Sequence, residues 1–207
     1  MMQKIGVFGG SFNPPHVGHF ILAERIKDIL KLDKIIFIPA YIPPHKTKMH
    51  IMDPIHRLKM LKLAAGKNSY FEVSDIEIKR GGTSFTYDTL LYLSGKYKNA
   101  KLFLIIGMDN YRDFCYWKNY EQIFDLCQVV VLKRRDNNSP EKHNHMADKE
   151  KSCRKKLINN DKFLFLGTPF LDISSTEIRQ RIKAKKTINN YVSDKVVKYI
   201  EKNNLYK

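Results

Sequence analysis

The chain is poor in cysteine and has no long apolar run. Its 207 residues include three cysteines, Cys115, Cys127 and Cys153, and none forms a CxxC pair. That count argues against a disulfide framework or a zinc knuckle and fits a reducing compartment. No stretch is long enough to span a bilayer. Met1-Met2-Gln3-Lys4 runs straight into Ile5-Gly6-Val7-Phe8, with no signal-peptide apolar region and cleavage site, so a cytoplasmic globular protein is expected. Acidic residues are the scarcer sign, 21 against 37 Lys and Arg, for a net charge of +16. Such a surplus implies anionic partners without saying which kind. The basic residues are spread along the chain and no RRM or KH signature occurs, so neither nucleic acid nor membrane is the expected partner. Also missing are G-x-x-x-x-G-K-[ST] and G-x-G-x-x-G, which excludes a P-loop and argues against the usual dinucleotide-binding turn. What the chain does have is 43% apolar and 28% charged residues, enough to build a core and to rule out global disorder.

The first forty residues set the fold class. Ile5 to Phe8 is a short apolar run closed by Gly9-Gly10, a buried strand and a tight turn. Val17 to Leu30 places Phe20, Ile21, Ile26, Ile29 and Leu30 at helical spacing. Lys34 to Pro39 is a second buried strand stopped by proline. Neither strand alternates with polar residues, as expected for a parallel sheet covered on both faces. The pattern continues with a helix from Asp53-Pro54 to about Ala65, a strand over Phe71–Ile78 and a helix over Thr86–Tyr97. Further strands are expected at Leu102–Ile106, Val129–Leu132 and Phe163–Leu166, with a helix over Tyr120–Cys127. Helices near Ser175–Ala184 and Ser193–Asn203 form a small C-terminal helical part at 174–204. The predicted fold is α/β, a Rossmann-like doubly wound parallel sheet, as one domain over 1–207 with a basic insertion at 134–161. Between Lys133 and Lys156 stand nine basic and four acidic residues, an exposed and mobile composition in which His143 and His145 read as solvated.

Chemistry concentrates in Gly9-Gly10-Ser11-Phe12-Asn13-Pro14-Pro15-His16-Val17-Gly18-His19. It lies where the first strand passes into the first helix, and ligands of open α/β sheets bind outside the carboxyl ends of the strands. Glycine permits close backbone approach, and the helix N-terminus offers free N–H groups to a phosphate. His16 and His19, three apart, can project to one spot and donate to phosphoryl oxygens; against a phosphate they would tend to stay protonated. After the second strand, Pro43-Pro44-His45-Lys46 sets two basic residues at the same sheet edge. Ile173-Ser174-Ser175-Thr176-Glu177-Ile178-Arg179 caps a helix through Ser174 or Ser175 and makes a second anion corner with Arg179. Asp109 at a strand end could hold ribose hydroxyls, and Trp117, the only tryptophan, could stack on a flat heterocycle.

GGSFNPPHVGH and ISSTEIR together resemble the H-x-G-H nucleotidyltransferases, and PPHK, EIKRGGTSFTYDTL and IIGMDNYRDFCYW narrow the resemblance to bacterial nicotinate-nucleotide adenylyltransferases. The resemblance implies that ATP and nicotinate mononucleotide, with Mg²⁺, give nicotinate adenine dinucleotide and pyrophosphate by direct attack on the α-phosphorus. By position, His16 and His19 would be catalytic. They would bind ATP together with Gly9, Gly10, Ser11, Phe12, Arg134, Ser175, Thr176 and Arg179. His45, Lys46, Thr86, Asp109 and Trp117 would hold the mononucleotide, Trp117 on its pyridine ring. One departure stands out: where relatives often read Arg-Pro-Gly, this chain reads Lys133-Arg134-Arg135-Asp136. A sister enzyme acting on phosphopantetheine is disfavoured, because that acceptor has no flat ring for Trp117. The oligomeric state, monomer or homodimer, stays open.

Overall fold

A computed structural model describes residues 2–44, 51–134, 157, 161–168 and 171–207. Its strands β1 (Gln3–Gly10), β2 (Lys34–Pro39), β3 (Phe71–Val73), β4 (Ala100–Gly107), β5 (Gln128–Arg134) and β6 (Phe163–Thr168) form a six-stranded sheet in the order β3-β2-β1-β4-β5-β6, the order of the doubly wound Rossmann-like fold. The chain divides into two compact units, Lys4–Ser84 with Leu171–Lys207, and Phe85–Phe170 with the first residues.

In the first unit β1 (Gln3–Gly10), α1 (Val17–Leu30) and β2 (Lys34–Pro39) form the expected β-α-β element. β1 and β2 pair in parallel, Val7 beside Ile36, and β2 pairs in parallel with β3 (Phe71–Val73), Ile36 beside Glu72. Ile5, Ile35, Ile36 and Phe37 are fully buried, which is why these strands show no polar alternation. α2 (Pro54–Ala65) starts as read, with the Asp53 carboxylate accepting from Ile55 N at 2.7 Å and proline in the first turn.

The strand expected over Phe71–Ile78 stops after three residues, and Ile76–Arg80 is a short helix, α3. Ile76 and Ile78 alternate as a strand would, but Asp75 pairs with Lys79 at 3.2 Å, an i,i+4 contact that supports a helical turn. The C-terminal helices α7 (Ser175–Lys183) and α8 (Asp194–Lys202) agree with the reading to within a residue or two. Their buried faces, Ile178, Val196 and Ile200, join Ile188, Val192, Leu205 and Tyr206 around Met60 of α2. That cluster fixes the start of α7.

In the second unit β4 (Ala100–Gly107), β5 (Gln128–Arg134) and β6 (Phe163–Thr168) are parallel, with Leu104 beside Val129 and Val130 beside Leu164. α4 (Thr86–Lys96) and α6 (Tyr120–Leu126) were legible from the sequence. The short α5 (Met108–Arg112) and the 3-10 turn Phe114–Tyr116 were not, being too brief to show a period. Phe114, buried, meets Trp117 at 5.1 Å and Phe163 at 5.3 Å between ring centroids. Cys127 is a buried free thiol, whereas Cys115 is disulfide-bonded, which the low cysteine count did not announce. The basic segment at 134–161 lies almost wholly outside the described residues, and His143 and His145 with it.

One buried charge organises the first unit. Arg57 on α2 is fully buried, and its guanidinium donates to three backbone carbonyls: Met52 at 2.7 Å, Ser11 at 2.9 Å and Tyr41 at 3.0 Å. The planar fork thereby joins the chain entering α2 to the turns after β1 and β2. Hydrogen bonds from a charged donor are each worth roughly 1.5–3 kcal/mol, and carbonyls left unpaired in the interior cost more. Arg57→Met is therefore expected to lower unfolding free energy by about 3 kcal/mol or more in denaturant titrations. Arg57→Lys, which has no fork, should recover only part of that loss.

Candidate active site

The turn after β1 is tight and strained. A Cβ on Gly10 would lie 3.3 Å from the Phe12 ring, closer than ordinary contact, so a side chain there would push the ring by a few tenths of an ångström. Phe12 has φ 45°, in the left-handed region, and is buried to 2% exposure. Such a backbone costs about 1–3 kcal/mol for a bulky residue and persists only when packing imposes it. The Phe12 ring supplies that packing, edge-on to His19 at 5.0 Å and to Phe8 and Phe37 at 6.0 Å.

His16 caps α1 in extended backbone and His19 sits in the first turn of that helix. Their rings stack with centroids 3.7 Å apart and planes 29° from parallel. Gly18 permits this, since a Cβ there would lie 3.1 Å from His16 Nδ1. The His16 backbone N–H donates to His19 Nδ1 at 3.1 Å. A neutral His19 then carries its proton on Nε2, ready to donate to an incoming oxygen. His16 Nδ1 is buried and makes no hydrogen bond among the described residues. Burial lowers the His16 pKa to about 4. Burial, and then the His16 charge, hold His19 well below 6.5 against the opposing backbone hydrogen bond. Without an anion, both imidazoles are neutral at neutral pH; the protonated state expected against phosphate has to be induced by the phosphate.

The second anion corner meets this turn. Ser174 is the true cap of α7, its Oγ accepting from Glu177 N at 3.1 Å. That leaves Ser175 free to donate to the Pro14 carbonyl at 2.8 Å. Arg179 donates to the Asn13 carbonyl at 2.8 Å and to Thr176 Oγ1 at 3.1 Å. Two motifs about 160 residues apart in sequence are thus hydrogen-bonded directly to each other.

The remaining candidates divide by location. Thr86 opens α4, and Asp109, exposed, lies in the first turn of α5. The Asp109 carboxylate folds back so closely that a Cβ on Gly107 would be 2.6 Å from it. Trp117 follows the 3-10 turn with its Nε1 buried and without a hydrogen-bond partner among the described residues. Arg134 ends β5, while its side chain, like the whole of His45 and Lys46, lies outside the described residues. Asn13, Arg57 and Tyr206 were missed by sequence reading.

Residues 7–181 match the cytidylyltransferase-like family. The nicotinate-nucleotide adenylyltransferase of Bacillus subtilis is 38% identical over 99% of both chains. A probable nicotinate-nucleotide adenylyltransferase of Fusobacterium nucleatum is 40% identical over 97% of this chain and 98% of its own. The chain belongs to this family. In fold it is similar to the Plasmodium falciparum nicotinic acid mononucleotide adenylyltransferase solved with NaAD, at TM-score 0.74, 21% identity, and coverage of 99% of this chain and 97% of that one.

For a nucleotidyltransferase, this arrangement supplies imidazole N–H groups, hydroxyls and one guanidinium around a helix N-terminus, the donor set that charge developing on a phosphate needs. Among the described residues no group of three His, Cys, Asp or Glu is placed to hold a metal ion. The histidines also couple the site to pH. Between the ordinary His value of 6.5 and the His16 value of about 4 the unfolded chain binds protons that the native site refuses. Stability should therefore fall as pH drops through that window, and His16→Ala should flatten the fall in melting temperature measured against pH.

Proposed function

We propose that the protein transfers the adenylyl group of ATP to nicotinate mononucleotide. A phosphate oxygen of the mononucleotide attacks the ATP α-phosphorus in line, the bond to the β-phosphate oxygen breaks, and pyrophosphate leaves with the electron pair. The observation that carries the reading is the junction itself: Ser175 and Arg179 bonded to the Pro14 and Asn13 carbonyls beside stacked His16 and His19. With the family membership, that junction supports a triphosphate cradle.

Catalysis here is positioning and charge stabilisation, with no covalent intermediate on the protein. His19 Nε2–H donates to the α-phosphate as it becomes pentavalent, and His16 supports it and the neighbouring phosphates. Thr176, Arg179 and the backbone N–H at Ser175 hold the triphosphate and then the pyrophosphate, with Gly9, Gly10, Ser11, Phe12 and Arg134 as the further ATP contacts. Mg²⁺ enters with ATP as substrate, held by phosphate oxygens and water, as this ion usually is in phosphate chemistry. For the acceptor, Trp117 stacks on the pyridine ring, Thr86 and Asp109 contact the nucleoside, and His45 and Lys46 face its phosphate. The cytoplasm, where ATP is made available, is the proposed compartment.

Removing a donor to a developing oxyanion costs on the order of 100-fold in kcat. His19→Ala should show a loss of that size in dinucleotide formation; turnover at the parent rate would contradict the mechanism. Trp117→Ala should raise KM for the mononucleotide far more than KM for ATP. Equal rises would show that the ring sits elsewhere.

A further inference from the structure

Leu205 and Tyr206 tuck into the apolar cluster around Met60, exposed to 5% and 8%. Most of what they bury is hydrocarbon, but the Tyr206 hydroxyl is not used for packing. It donates to Asn13 Oδ1 at 2.9 Å, across 193 residues of sequence. Asn13 is 5% exposed, and its Oδ1 has one further donor, the Met52 backbone N–H at 3.3 Å. The Asn13 carbonyl, on the same residue, takes Arg179. Pro14, next in the chain, takes Ser175. Asn13 is therefore gripped at both ends, by Tyr206 on its side chain and by Arg179 on its backbone.

Burial pushes the Tyr206 phenol above its ordinary range, and the positive charges of Arg57 and Arg179 only partly oppose it. The hydroxyl is therefore protonated, and a donor, at neutral pH.

We propose that Tyr206 is a positioning residue for the phosphate-binding turn: by fixing the Asn13 side chain, its hydroxyl sets where Asn13 and Pro14 present their carbonyls to Arg179 and Ser175, and hence where His16 and His19 stand. The proposal rests on the ATP reading of that turn. A phenol serving only as core filler would make the opposite prediction, since Phe fills the same space without touching Asn13.

Tyr206→Phe tests it in the full-length chain. The expected result is a folded protein whose kcat/KM for ATP drops about tenfold, the loss of one well-placed hydrogen bond. KM for nicotinate mononucleotide should stay within twofold. Val196→Ala, which trims the same cluster, should lower the melting temperature without moving KM for ATP. In a double-mutant cycle, Tyr206→Phe should add no further loss once Asn13→Ala is present. A folded Tyr206→Phe with parent kinetics toward ATP would overturn the proposal, as would parallel rises in both KM values or additive losses. If Tyr206→Phe does not fold, Asn13→Ala alone must show the ATP-selective loss, and its absence is decisive against the proposal.

Two readouts do not require turnover: ATP affinity by calorimetry, and the imidazole NMR resonances of His16 and His19. A parent protein that binds ATP but forms no dinucleotide defeats the reaction, while weaker ATP binding in Tyr206→Phe still supports the positioning role. A parent protein that binds no ATP defeats the functional reading, and imidazole resonances unchanged in Tyr206→Phe then defeat the positioning role as well.

Discussion

The stretch between β1 and α1 lies outside any ladder or helix, so its carbonyls must find partners elsewhere. Three side chains from two distant elements, α2 and α7, supply them. Ser11 gives its carbonyl to Arg57 of α2, Asn13 to Arg179 and Pro14 to Ser175 of α7. These bonds hold a turn that Phe12 enters at a left-handed angle and that ends at two stacked imidazoles. Remove the partners and the strain has nothing to oppose it. The histidine geometry is thus an outcome of backbone satisfaction elsewhere in the first unit.

The same bonds shape the electrostatics. Arg179 spends its hydrogen bonds on carbonyl and hydroxyl oxygens, which orient a guanidinium without cancelling its charge, whereas Arg57 also feels the Asp53 and Glu77 carboxylates. An arginine paired with a carboxylate would contribute far less field to an incoming phosphate. The imidazoles, neutral when the site is empty, add donors at no charge-burial cost. Under the proposed function, a polyanion would meet fixed positive charge from Arg179 and adjustable protonation from the histidines. The overall +16 of the chain adds a favourable long-range background.

Much of this was legible in the sequence where chemistry has a local signature. Asp53-Pro54 announced α2, the apolar runs announced the parallel strands, and H-x-G-H and S-S-T-x-x-R marked the two segments that the fold brings together. Local signatures also misled: Phe71–Ile78 alternates like a strand, but only Phe71–Val73 pairs. The ambiguity between Ser174 and Ser175 was resolved only by geometry, one capping the helix and the other reaching Pro14. Arg57, Asn13 and Tyr206 left no trace, because a side chain bonded to a remote backbone carbonyl or amide obeys no spacing rule. The neutral state of His16 and His19 was equally invisible, since it follows from how deeply the folded chain encloses them.

The span between Asn13 and Tyr206 also bears on when the site comes into being. A nascent chain that has cleared the ribosome as far as β3 already carries both histidines and the glycine turn. It lacks Ser175, Arg179 and Tyr206, so three of the turn's ties have not been synthesised. Contacts this distant in sequence close late, after the local β-α-β element has formed. The turn is accordingly held only once translation has passed Tyr206, and no amino-terminal fragment ending before α7 can hold it as the folded chain does.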